Sequence, residues 1–294
     1  MPTAFSPRRR LPALRRLAVG LVVGLVAATA QAAPWVTAQL FVSPSFAGGS
    51  GPVNLLQNDT VLAQLSGSGS GGANSAGSGS TSVKYGVIKL QGEFAGSGNT
   101  ISRGIFRDDL TFTVPGLALG TPLDVTFAID VSGDLQVGLV TGLAQAQWNL
   151  QADLGGGATD LRAIGTLFNN GTGAAPTFSG DAFGSFQATV RLANGYAAPL
   201  YVQLEGAAQA AYNHTGARNA ASYDLSHSLY WGGITQLSVN GQAVTDYALS
   251  SASGTDYRLS LAPPVPEPTS AALLFAGLGL VAWLKRGAAA RRGG

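Results

Sequence analysis

Nucleophiles, bases and metal ligands are sparse in this chain, and their spacing excludes more chemistry than it supports. Among 294 residues there are two histidines, His214 and His227, and no cysteine. Disulfides, zinc-thiolate sites and cysteine nucleophiles are thereby excluded, and no HExxH or other histidine-rich metal spacing is present. Asp224, Ser226, His227 and Ser228 have the residue types of a hydrolytic triad. On a strand, however, Asp224, Ser226 and Ser228 take one face and His227 the other, so the spacing predicts no local relay. A GxSxG elbow is also missing. Asp130 and Asp134 flank Ser132-Gly133, and Asp153 and Asp160 flank Gly155-Gly156-Gly157. Both pairs could offer oxygens to calcium, but neither has EF-hand spacing or a repeated GGxGxD pattern, and both read as turns between strands. Gly67, Gly69 and Gly72 match GxGxxG within a Ser-Gly tract, and no helix follows to receive a phosphate.

Amide side chains offer a different chemistry. Gln145, Gln147, Asn149 and Gln151 alternate with Ala144, Ala146, Trp148, Leu150, Ala152 and Leu154, which puts the amides on the wet face of one strand. Such a row can hydrogen-bond sugar hydroxyls. With Trp231 or Tyr230 beside it, the row would become a carbohydrate platform, because an aromatic face packs on a sugar ring. Alone, it is a solvated sheet face.

The strand carrying those amides is one of several with period two. Leu123, Val125, Phe127, Ile129 and Val131 alternate with Asp124, Thr126, Ala128 and Asp130; Phe186, Ala188, Val190 and Leu192 alternate with Gln187, Thr189 and Arg191; Leu200, Val202 and Leu204 continue the theme. Residues 35–42 and 61–65 read as further short strands. Asn240-Gly241, between residues 234–239 and 242–249, suits a type I′ hairpin, whose two central positions need positive φ. Residues 66–82 are almost all Ser and Gly, with little to bury, and read as a mobile loop. Apolar residues at 46% suffice for a core, while 41 glycines, 11% charged residues and no helical heptads point to strands joined by turns. The expected class is all-β, an antiparallel β-sandwich of jelly-roll-like form over residues 33–262, with a barrel or solenoid as alternatives.

Charge is divided unevenly. The net charge is +2, but nine of seventeen basic residues lie in the terminal segments. Residues 33–268 hold eight basic against fifteen acidic residues, a net of −7. No basic stripe exists to neutralise phosphates, so nucleic acid is not an expected partner. Arg8 to Arg10, Arg15 and Arg16 precede an apolar run at 17–29 and the small-x-small site Ala30-Gln31-Ala32. This is the layout of a secretory signal peptide, residues 1–32, cleaved after Ala32. At the other end, Pro263, Pro264, Pro266 and Pro268 stop any sheet and form a linker at 263–268. Residues 269–284 are apolar, and 285–294 carry Lys285, Arg286, Arg291 and Arg292. Sixteen residues as a helix reach about 24 Å against a hydrocarbon core of about 30 Å, a marginal transmembrane span that snorkelling of Lys285 and Arg286 extends. The basic tail should stay cytoplasmic.

Pro266-Glu267-Pro268, the short apolar segment and the basic tail, taken together, resemble the PEP-CTERM sorting domain over about a tenth of the chain. Residues 222–229 and 251–257 also resemble the final strands of many PEP-CTERM ectodomains, on commoner residue types. The resemblance implies export, cleavage near the signature by a membrane-embedded, cysteine-dependent exosortase, and a product associated with the cell surface and exopolysaccharide. The motif does not specify the bond cut. The expected function is therefore that of a non-enzymatic exported surface or extracellular-matrix protein. Its partners would be an exosortase-type enzyme, the membrane and exopolysaccharide, and no cofactor is expected. A lectin-like carbohydrate-binding module and a secreted glycan hydrolase are the alternatives; carboxylate pairs for the latter are set by folding and not by spacing.

Overall fold

The computed structural model describes residues 33–45, 50–71, 75–138, 142–157, 159–172, 174–211 and 219–263. The signal peptide expected at 1–32 with Ala30 and Ala32, His214, the Pro266-Glu267-Pro268 signature, the helix expected at 269–284 and the tail with Lys285 and Arg286 lie outside the described residues.

Alternating wet and dry side chains make sixteen strands among the described residues. They are β1 (Trp35–Pro44), β2 (Val53–Asp59), β3 (Leu62–Gly71), β4 (Ser75–Lys84), β5 (Val87–Ala95), β6 (Gly98–Thr113), β7 (Pro122–Val131) and β8 (Asp134–Val137), followed by β9 (Leu143–Leu154), β10 (Leu161–Asn170), β11 (Thr177–Gly180), β12 (Gly184–Ala193), β13 (Ala197–Ala210), β14 (Ala220–Val239), β15 (Gln242–Ala243) and β16 (Ala248–Ser251). The first sheet runs β11-β10-β9-β13-β6-β1-β2, with β16 also on β6. The second runs β12-β7-β14-β5-β4-β3, with β8 and β15 also on β14. Pairing is antiparallel throughout. The all-β, antiparallel expectation holds, and two sheets sharing one core are consistent with a β-sandwich. Each sheet has eight strands, more than the eight in total of a jelly roll.

The period-two strands place their residues as the sequence requires. Leu123, Val125, Phe127, Ile129 and Val131 of β7 are buried, as are Ala144, Ala146, Trp148, Leu150, Ala152 and Leu154 of β9. Trp148 stacks on Phe183, with centroids 5.2 Å apart. Tyr223 of β14 crosses the core, and its hydroxyl meets Ser102 Oγ of β6 at 2.7 Å. Its ring covers Gly206, where a Cβ would lie 2.5 Å from the ring, so glycine there is a packing requirement. Asn240 (φ 51°) and Gly241 (φ 80°) form the β14–β15 turn in the left-handed region, as a type I′ hairpin demands. The strand expected at 242–249 is divided: β15 stays in the second sheet, while β16 crosses to pair with β6 of the first.

The mobile loop expected at 66–82 is instead most of a hairpin. β3 and β4 pair in register from Leu62↔Lys84 to Gly71↔Ser75, and β4 continues onto β5. The entropy argument failed because it counted only the segment's own side chains. Gly67 and Gly79 point inward, and Leu40 and Leu55 fill the space: a Cβ on Gly79 would lie 2.6 Å from Leu40 Cδ1, and one on Gly67 3.1 Å from Leu55 Cδ1. The buried apolar surface belongs to the neighbouring strands, and the serines face out except Ser75, which is buried with its Oγ donating to Ser97 O.

Past β16, residues 252–261 are tied to the end of the core. Ser253 donates through N to Asp108 Oδ1 at 3.0 Å and through Oγ to Asp108 Oδ2. The buried Trp231 donates Nε1–H to Tyr257 O at 2.7 Å, and Leu261 N donates to Trp231 O at 2.8 Å.

Candidate functional site

Strand register assembles the amide row of β9 into a wider surface on the outer face of the first sheet. Gln151, Asn149, Gln147 and Gln145 lie opposite Gln203, Glu205, Ala207 and Gln209 of β13. These in turn face Ile105, Arg103, Ile101 and Asn99 of β6, and β1 adds Thr37, Gln39 and Phe41. Several polar groups are already held in place. Gln145 Nε2 donates to Gln147 Oε1 at 2.8 Å, and Thr37 Oγ1 to Asn58 Oδ1 at 2.5 Å. Arg103 binds Glu205 Oε2 through Nε at 2.8 Å and Nη2 at 2.5 Å. That pair is partly exposed and adds orientation more than stability.

At one end of this face the aromatic residues appear. The guanidinium of Arg107 lies 5.0 Å from the Trp35 ring centroid and 4.8 Å from that of Tyr201, a cation between two π faces on three adjacent strands. Tyr201 also donates its hydroxyl to Gln203 Oε1 at 2.6 Å. Burial pushes the Tyr201 phenol up, against the opposing pull of Arg107 and Arg103, so it remains a neutral donor at neutral pH. A depression of about 130 Å³ opens among Asn99, Ile101, Gln145, Gln147, Glu205 and Gln209. A larger one, about 390 Å³, lies where Arg107 and Tyr201 meet Asp109, Asp153 and Ala33.

The aromatic neighbours expected for the amide row are corrected by these positions. Trp231 is fully buried in the second sheet, stacked on Phe127 at 5.4 Å, and Tyr230 is half-buried on that same sheet. Trp35 and Tyr201 take the place assigned to them. Sequence spacing gave no sign of this, because Trp35, Arg107 and Tyr201 are joined only by register. Alternation did place Trp35 and Tyr201 on strand faces.

The triad-like residues of β14 also depart from simple alternation. The β5–β14 register shifts between Leu225 and Leu229, both of which stay buried. This bulge turns His227 out to an exposed position instead of the inner face. Asp224 Oδ1 accepts Ser226 N at 2.9 Å and Gln91 Nε2 at 3.2 Å, and its hydrogen bonding with Ser226 is the main cause holding its carboxyl below the usual range. His227 takes part through its backbone oxygen, which accepts from Ser132 Oγ. Among the described residues, no hydrogen bond links its imidazole to Asp224 or Ser226.

The two candidate calcium pairs serve their own loops. Asp153 Oδ1 accepts Gly156 N at 3.0 Å, and Asp160 Oδ2 accepts Leu154 N at 2.8 Å, with burial raising the Asp160 carboxyl. Asp134 Oδ2 accepts Gln136 Nε2 at 2.6 Å. Among the described residues no group of three or more His, Asp or Glu converges as a metal site. The adjacent acids Asp108 and Asp109 of β6 point to opposite faces, so they form no pair across a cleft. No family model matches the chain, and neither a curated protein nor a solved structure shows significant similarity to it.

Proposed function

We propose that the chain is an exported, non-enzymatic surface or extracellular-matrix protein, sorted and cleaved at its C-terminal PEP-CTERM signal, with an ectodomain that holds exopolysaccharide. The outer face of the first sheet carries the binding half of this reading. A row of neutral amides, from Gln145 to Gln151 and across to Gln203, ends at the rings of Trp35 and Tyr201 on either side of Arg107. Extended sugar chains offer alternating hydroxyls and apolar ring faces, and such a surface answers both. The sorting half is supported by the signature Pro266-Glu267-Pro268 with Lys285 and Arg286 behind an apolar segment, and by Ala30 and Ala32 at the other end.

Retention of the exported protein on the producing organism's own polysaccharide tests the binding half. Tyr201→Ala with Gln147→Ala should lower retention about tenfold or more, since a lost sugar-stacking contact and amide hydrogen bonds are worth roughly 1–2 kcal/mol together. Equal retention refutes it. For sorting, expression with and without the cognate processing enzyme should give a shortened product only with it; a tail kept in both hosts removes that half.

A further inference from the structure

The 390 Å³ depression at the Arg107 end of the first sheet is acidic on one side. Its walls include Asp109 and Asp153, with Asp108 alongside and Ala33 at the rim. Asp153 is occupied by Gly156 N, and Asp108 by Ser253 and by the backbone N of Asp109. Asp109 differs. It is 91% buried on its 9% exposure, and among the described residues its carboxylate accepts no hydrogen bond and joins neither ion pair. Burial, and then the charge of Asp108, push its carboxyl up, which is the mark of a carboxylate lacking a cation. The basic side chain lining the depression, Arg107, is held between two rings, and Arg103 is committed to Glu205. An anionic ligand would meet repulsion here.

The chain itself brings a cation to this place. Trp35 of β1 is opposite Arg107 of β6. That ladder ends there, Ala252 N donates to Asp109 O just beyond it, and Ala33 and Asp109 both line the same depression. Asp109 shares the outer face of β6 with Arg107 by strand parity. Before processing, Ala33 contributes a neutral amide; cleavage after Ala32 gives it a charged α-amine. We propose that the new α-ammonium of Ala33 is bound by Asp109, so that removal of the leader completes the fold of the exported domain. The inference rests on the export reading above.

Mass spectrometry of the exported protein first reads its N-terminus, and timed amine labelling at pH 7.5 then reads the protonation of Ala33. An α-amine ordinarily has a pKa of about 8; a carboxylate at hydrogen-bond range raises it by about one unit, so labelling should be roughly tenfold slower than for a free peptide terminus. Asp109→Asn should restore the ordinary rate. A chain beginning at Ala32, one residue longer, should also label at the ordinary rate and leaves Asp109 in place should the first variant fold poorly. The other titratable or charged groups lining the depression are Arg107, Asp108, Asp153 and Tyr201; Asp153→Asn should change the rate less than Asp109→Asn. A terminus at Ala33 that labels at the ordinary rate overturns this inference and leaves the export reading intact. A protein that keeps its leader, or is cut elsewhere, overturns both.

Discussion

On β9, Trp148, Leu150 and Leu154 carry burial in their own side chains. Over the middle of β3 and β4, the inward positions Gly67, Gly77 and Gly79 leave space that Leu40, Leu55 and Phe94 fill from outside the hairpin. Both regions are ordered strands in the same domain. The difference teaches that a segment can be held by surface it does not own, provided its own bulk stays out of the way. Large-to-small changes should therefore damage β9, and small-to-large changes the hairpin.

The largest expected effect is on the side of β9. Trp148→Ala should cost about 3–5 kcal/mol, read as a lower urea midpoint, because the ring is fully buried against Phe183 and Phe186. Gly79→Val comes next, at about 1–3 kcal/mol or more, since its Cβ alone would meet Leu40 at 2.6 Å. If Gly79→Val leaves the midpoint unchanged, the hairpin is not packed as described and the contrast with β9 fails. Tyr223→Phe, at a side chain that touches both sheets, should lose about 1 kcal/mol by removing the hydroxyl that donates to Ser102 Oγ at 2.7 Å, while Ser102 keeps its own bond to Gln91 O. The outward serines give the smallest effect: Ser78→Ala and Ser80→Ala should stay within about 0.5 kcal/mol, which sharpens the contrast with the glycines beside them.

Much of β7, β9, β12 and β13 was legible in the sequence because each strand pays for its own burial, so the hydrophobic period is written in consecutive residues. Asn240-Gly241 was legible for a similar reason, as the turn's backbone demands are met by the residues in it. The strand at 61–65 was legible as the start of β3, but the pairing across 66–82 was not, because the groups that fill the space over Gly67, Gly77 and Gly79 are Leu40, Leu55 and Phe94. For the candidate face, alternation gave the amide row of β9 correctly but not its aromatic neighbours. Trp35, Arg107 and Tyr201 are far apart in the chain and meet through two strand registers, which local pattern does not encode. The outward turn of His227 depends on a bulge that leaves no trace in the spacing, because Leu225 and Leu229, four residues apart, keep the parity of a regular strand.

The ties on residues 252–261 have a mechanical meaning. A pull on the chain beyond Pro263 reaches Leu261 N on Trp231 O first, then Tyr257 O on the Trp231 indole, and only afterwards Ser253 on Asp108. Trp231 lies within the twenty-residue β14, which is laddered to β5 on one side and to β7 and β8 on the other. Tension is thus delivered sideways into the longest strand, where many rungs share the load. Such a rivet would let the domain stay folded while it is tethered at its C-terminal end.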